Sequence, residues 1–187
     1  MYSAKDILMN TRRVPVIVTD TGPLIHLVGS DLLDDVLAVC EQLIIPDMVF
    51  IEATKQGKPF ADRILLLASH ALVSIHKTTT GEMYAAALKG EPTFNAKNAG
   101  ERAIIDWLLD EIDQTSTPAI VLYENGKVPR LIENHDIDAN VSVLTTRAFF
   151  EVLKEINATN KDWEKVMTLF PTMNAKITES HYYRSSQ

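Results

Sequence analysis

Val14-Pro15-Val16-Ile17-Val18-Thr19-Asp20-Thr21-Gly22-Pro23-Leu24-Ile25-His26-Leu27-Val28 decides the fold. Val14 to Thr19 is a compact, mostly β-branched run. Such a run suits a strand buried on both faces, with Pro15 near its start. Asp20 follows at once. Thr21-Gly22-Pro23 is turn chemistry opening a helix, and Pro23 fits the first turn, where a missing N–H costs nothing. Leu24, Leu27 and Val28 then recur at helical spacing.

The same alternation repeats outward from this unit. A second helix is expected from about Asp31 to Val39, with Leu32, Leu33, Val36 and Leu37 on one face. Leu43 to Ile45 reads as a short buried strand closed by Pro46, and Asp47 can cap a helix carrying Val49, Phe50 and Ala53. Gly57 and Pro59 stop that helix; Ala61 to His70 reads as another, and Leu72 to Ile75 as a third strand. Gly81 to Leu88 reads as helix, Lys89 to Asn98 as loop, and Gly100 to Ile112 as a strongly amphipathic helix. Ala119 to Tyr123 and Val141 to Leu144 are the fourth and fifth strands. Phe149, Phe150, Leu153 and Ile156 mark the next helix, and Trp163 to Phe170 a last one. Strands alternating with helices imply a parallel sheet covered on both faces. The expected class is therefore α/β, a three-layer α/β/α sandwich around a central, mostly parallel sheet of about five strands. Residues 1–13 are expected as a short helix or loose arm, 14–170 as the globular unit and 171–187 as a polar tail. Neither an internal repeat nor a domain linker is visible.

Composition bounds what this unit can be. The chain has 187 residues, 46% of them apolar, enough for one domain with a proper core. Its longest apolar runs, such as Ile64 to Ala68, fall far short of a membrane span, and the start lacks the pattern of a signal peptide. The single cysteine, Cys40, excludes an internal disulfide framework and a cysteine zinc site, and its apolar neighbours suggest a buried thiol. These features point to the cytoplasm. A net charge of −7 argues against general electrostatic binding of nucleic acid, which relies on Lys and Arg. It suits a site that concentrates carboxylates around a cation, because a bound ion reverses the local sign.

In parallel sheets, ligands bind beyond the carboxyl ends of the strands. Asp20 ends the first strand, Glu52 lies in the helix after the second, Glu101 opens the helix before the fourth, and Glu124 ends the fourth. Carboxylates brought together there repel one another, and a hard divalent cation resolves the conflict. Glu101 precedes Ile104, Ile105 and Leu108 by three, four and seven residues, so it shares their buried face. Asp106 lies about 140° further round the helix and is not assigned as a ligand. Each acid taken singly has a plainer reading. Asp20 can be a helix cap, Glu52 a solvated residue, Glu101 a dipole partner and Glu124 part of a polar turn. Their order and strand context carry the functional reading.

Several blocks resemble the PIN-domain family. Val16 to Leu27 is similar to its opening motif, an Asp, then Ser or Thr, then an apolar pair. Ile44-Ile45-Pro46-Asp47-Met48-Val49-Phe50-Ile51-Glu52 resembles the second block, and Gly100-Glu101-Arg102-Ala103-Ile104 the third. Val121-Leu122-Tyr123-Glu124-Asn125 is similar to the fourth, where the family more often carries two acids. Val143-Leu144-Thr145-Thr146-Arg147-Ala148-Phe149 resembles the closing strand-to-helix block. The resemblance covers Val14 to Ile156. It implies an endoribonuclease dependent on Mg²⁺ or Mn²⁺, often the VapC-like toxin of a toxin–antitoxin pair. Asp20, Glu52, Glu101 and Glu124 would then be catalytic, with Asp20, Glu101 and Glu124 as metal ligands. Thr21, Asn125, Thr145 and Thr146 would position substrate or water. The resemblance also implies a homodimer and a small antitoxin protein that covers the site. The chain departs from the family at Asn125, whose amide brings no charge. The insertion before Gly100 and the tail after Pro171 exceed a minimal domain of this kind and would serve partner binding or substrate choice.

Arg102 and Arg147, with Lys97 and Arg130, are further candidates for RNA phosphate contact. His26 suits a packed helix face better than a site, and His135 falls in a loop without zinc spacing. Two rival functions stand beside the nuclease. A phosphatase of the haloacid-dehalogenase type needs a second Asp two residues after the first, and position 22 is Gly. A non-catalytic PIN-like interaction module fits the acidic balance and Asn125.

Overall fold

The computed structural model describes residue 8 and residues 13–112, 117–135, 137, 140–162, 164–166 and 182–183. Strand β1 spans Val14–Thr19, and helix α1 follows over Thr21–Gly29 with Asp20 as its cap. Helix α2 (Leu33–Val39) leads into β2 (Cys40–Pro46) and α3 (Asp47–Thr54). Helix α4 (Ala61–Leu67), β3 (Val73–His76) and α5 (Thr79–Gly90) come next. Helix α6 runs from Ala99 to Trp107 and β4 from Ala119 to Tyr123. The last units are α7 (Lys127–Asn134), β5 (Val141–Thr145), α8 (Thr146–Glu155) and β6 (Tyr182–Tyr183).

The sheet order is β3-β2-β1-β4-β5-β6. β1 to β5 are all parallel, giving the expected three-layer α/β/α sandwich. β6 adds an antiparallel edge, with Leu144 opposite Tyr182. The chain builds β2 and β3 on one side of β1, then returns to build β4 and β5 on the other. The carboxyl ends of β1 and β4 therefore flank the point where the order reverses, the usual crevice of such sheets. Asp20 and Glu124 are the first residues beyond those two ends.

Burial follows the apolar pattern. All five residues of β4 are buried, as are Ile17, Val18, Leu43 and Ile45. Cys40 is buried in the same core, and burial pushes its thiol up to about 11, so it stays protonated and inert. No described helix is long and apolar enough to cross a membrane.

Some elements depart from the reading. The helix expected to run from Gly100 to Ile112 is α-helical only to Trp107, then continues as a π-turn over Leu108–Ile112. The wider turn keeps Trp107, Leu108 and Ile112 buried together, while Leu109 is only half-buried. Helix α5 begins at Thr79 and claims Lys89 and Gly90 from the expected loop. The sequence places a polar turn at Glu124 and a loop at His135, with no helix expected where α7 forms. Val128, Leu131 and Ile132 recur at helical spacing, and Pro129 falls within the first turn, where a helix tolerates it. Leu8 is helical and buried, but the rest of the expected arm before Arg13 lies outside the described residues. Of the last helix only residues 164–166 are described, and they are helical. The expected tail is described only at β6. Leu32, Val36 and Leu37, on the apolar face expected of the second helix, are buried in the chain's own core.

Candidate functional site

Asp20 does two things at once. Its Oδ1 accepts the Thr21 N–H at 2.8 Å, the capping role, while its backbone N–H donates to the Leu122 carbonyl at 3.0 Å and ties it to β4. Only 5% of the residue is exposed. Burial pushes its carboxyl from 3.8 up to about 7. The charges of Glu101, Glu52 and Glu124 push the same way, and the Thr21 N–H partly offsets them. Sequence reasoning expected those four acids at one sheet edge. The structure sets all of them around one cleft of about 510 Å³.

Each acid reaches the cleft from a different element. Glu101 comes from the first turn of α6 and is 8% exposed. Its Oε1 lies 3.5 Å from Lys127 Nζ and accepts a 3.5 Å hydrogen bond from Asn125 Nδ2. Glu124, just past β4, is held through Oε1 by His26 Nδ1 at 3.1 Å and by the Thr146 hydroxyl. Its other oxygen, Oε2, is buried without a hydrogen-bond partner, and so is the Thr21 hydroxyl. Orphaned buried polar atoms are rare and need an explanation; both residues line the cleft. Glu52 stands at the lip, half exposed and 3.7 Å from Lys58 Nζ. A Cβ placed on Gly100 would lie 3.5 Å from Glu52 Oε2 and 3.6 Å from Asp20 Oδ1, so this glycine stands between the two acids.

Gly22 sets the position of Glu124. A Cβ there would come within 2.8 Å of Glu124 Cγ, so α1 can pass this close to the carboxylate only with glycine. A side chain at position 22 would force Glu124 to shift, most of all the second acid that a dehalogenase-type phosphatase needs.

The remaining candidates separate. Asn125 lies at the cleft and turns towards Glu101, and its Oδ1 accepts the Lys127 N–H at 3.0 Å. Thr146 serves the cleft through Glu124, whereas the Thr145 hydroxyl caps α8 by accepting the Ala148 N–H at 3.1 Å. Arg147 pairs with Glu151 one helical turn on, and Arg102 is exposed; neither lines the cleft. Asp106 accepts the Thr80 N–H at 2.7 Å and stays outside it, as the helical angle implied. His26, which the sequence suits to a packed helix face, is one of the two partners that orient Glu124.

Sequence reasoning passed over the basic rim. Lys55, Lys58 and Lys127 line the cleft together with Tyr84 and Asn98. Lys55 and Lys58 follow Glu52 by three and six residues, and Lys127 follows Glu124 by three, so each lysine trails a candidate acid. That spacing was a usable signal.

The donor set is carboxylate, hydroxyl and amide oxygen, the chemistry of Mg²⁺ and Mn²⁺ rather than of zinc. The side chains as they stand are not closed around an ion. Among the described residues no three His, Cys, Asp or Glu groups gather as a ligand cluster. Glu101, Glu124 and Glu52 each face a protein partner instead. The two unpartnered oxygens belong to residues that line the cleft beside the buried Asp20 carboxyl, and Mg²⁺ keeps several waters through which carboxylates can reach it. The residues therefore fit a hydrated hard cation. Comparison with family models, with curated proteins and with solved structures returns no match.

Proposed function

We propose that this chain is a divalent-metal-dependent endoribonuclease that hydrolyses RNA phosphodiester bonds. The observation that supports it best is Asp20 at the switch point of the sheet, destabilised as an anion chiefly by its own burial and further by the charges of Glu101, Glu52 and Glu124 around the same cleft. Asp20, Glu101 and Glu124 would hold Mg²⁺ or Mn²⁺, with Glu52 at the lip. Such an ion polarises a phosphate oxygen and lowers the pKa of bound water. The protein's own residues do the rest. His26 and Thr146 fix Glu124, Gly22 leaves room for it, and the rim lysines offset the charge of an incoming phosphate.

RNA as substrate, a small antitoxin partner and the toxin role rest on the resemblance to PIN domains. So does pairing with a second copy. One apolar surface for that pairing among the described residues is α4, where Leu65 is 50% and Leu66 72% exposed. A second reading, a non-catalytic interaction module, is favoured by Glu101 already having Lys127 and Asn125 as partners.

The test is cleavage of a mixed RNA pool with Mn²⁺ by wild type and by Asp20→Asn, with EDTA as control. Losing a well-placed acid–base group alone lowers rates by roughly 100- to 10,000-fold, and Asp20→Asn should lose at least that much. Equal cleavage by both proteins, or cleavage surviving EDTA, defeats the mechanism. No cleavage by wild type favours the module.

A further inference from the structure

Lys127 opens α7 and reaches back across the mouth of the cleft. Its ammonium donates to Asn98 Oδ1 at 2.7 Å and lies 3.5 Å from Glu101 Oε1. Asn98 is the residue before α6 and holds a left-handed backbone, φ 57°, so both partners sit at the start of the helix that carries Glu101. Lys127 remains 55% exposed, so its ammonium faces solvent as well as the acids. Lys58, by contrast, meets only the outlying Glu52, and Lys55 is exposed at the rim. Among the described residues Lys127 is thus the one rim lysine paired with a buried member of the acid group.

We infer that Lys127 is a substrate-phosphate residue, parked on Glu101 until a cation enters the cleft. The inference rests on the nuclease reading. An ammonium and a divalent ion both want the Glu101 carboxylate, and both cannot have it at full strength. When Glu101 turns to the ion, Lys127 keeps Asn98 as its anchor and loses its counter-charge. It is then a tethered cation, at the mouth of a strongly acidic cleft, with free donors. A phosphodiester entering that cleft meets four carboxylates and needs such a group on its approach. The same exchange ties oligonucleotide binding to ion binding without any movement of the sheet.

The experiment uses the full chain, MnCl₂ and a single-stranded 2′-O-methyl oligonucleotide of mixed sequence, which resists cleavage. Oligonucleotide affinity is measured by anisotropy across a salt series with saturating Mn²⁺, and Mn²⁺ affinity by calorimetry. Each phosphate contact contributes about −0.7 to the slope of log K against log salt for single strands. Lys127→Met should flatten the slope by about that amount, Lys127→Arg should keep it, and Lys154→Met, outside this cleft, should leave it unchanged. Mn²⁺ should bind Lys127→Met as tightly as wild type or tighter, because a competing cation has gone. A slope in Lys127→Met equal to wild type overturns the assignment. So does weaker Mn²⁺ binding by that variant, which would make Lys127 a support for Glu101. If wild type binds neither Mn²⁺ nor the oligonucleotide, the nuclease reading itself fails; if it binds both and only the slope is unmoved, Lys127 alone is misassigned.

Discussion

Asp20 has a pH signature that can be read without any substrate. Its carboxyl titrates near 7 in the folded, ion-free chain against 3.8 in the open one. Below about pH 4 both forms are protonated and the residue is neutral to stability. Between 4 and 7 the unfolded chain releases the proton and the folded chain keeps it, so stability falls as pH rises, and the full penalty applies above 7. Asp20→Asn removes this penalty. Ion-free, the variant should melt higher than wild type at pH 8, and the gap should narrow towards pH 5. A gain of ~1 kcal/mol raises the melting temperature of a chain this size by roughly 2–4 °C. A gap that widens on acidification contradicts the assignment. Gly22 gives an independent handle. In an ordinary helix Gly→Ala is stabilising by ~1 kcal/mol, but here the new methyl would press on Glu124 Cγ. Gly22→Ala should lower the melting temperature, with an overpacking cost of about 1–3 kcal/mol, and should weaken Mn²⁺ binding. A stabilised variant with full ion affinity would show that the two groups do not constrain each other.

At the scale of elements, two adjacent threonines at the β5–α8 junction do different work. Thr145 caps the helix and Thr146 holds Glu124. Thr145→Ala should therefore cost about 1 kcal/mol of stability, the worth of a cap, and leave Mn²⁺ affinity alone. Thr146→Val should weaken Mn²⁺ binding instead, because Glu124 loses one of its two tethers. Thermal melts and Mn²⁺ titrations on the pair check both, and interchanged outcomes would mean the hydroxyl roles are reversed. The sequence could not separate these residues, since both are hydroxyls after the same strand. What was legible follows from periodicity. The apolar runs of β1 and β4 and the buried face of α6 place Asp20, Glu124 and Glu101 at their ends without any structure. Helix α7 was obscured because Pro129 and a polar composition masked three apolar residues at helical spacing. The π-turn after Trp107 has no local sequence mark; burial of Leu108 and Ile112 selects it. Side-chain partners were the least legible feature. His26 to Glu124 spans 98 residues of sequence and Lys127 to Asn98 spans 29. The first exists only once the sheet order brings β1 beside β4, and the second only once α6 packs against α7.

For the molecule as a whole, a chain of net charge −7 places four of its 25 Asp and Glu residues around one cleft at the switch point, with Lys55, Lys58 and Lys127 at the rim. On the proposed function that arrangement would reconcile overall acidity with a phosphate-bearing substrate, because the attraction would be local and would depend on the ion. The other whole-molecule feature is the apolar surface of α4. If Leu65 and Leu66 meet a second copy, Leu66→Glu should convert a dimer to a monomer in sedimentation at micromolar concentration, while a wild type that is monomeric under the same conditions removes that assembly. Everything proposed for the cleft turns on whether it takes a divalent cation. The direct measurement is calorimetric titration of Mn²⁺ into the ion-free chain at pH 8, wild type beside Asp20→Asn. The predicted result is saturable binding by wild type that is lost or weakened at least tenfold in the variant; no saturable binding by wild type, or equal affinity in both proteins, would contradict it.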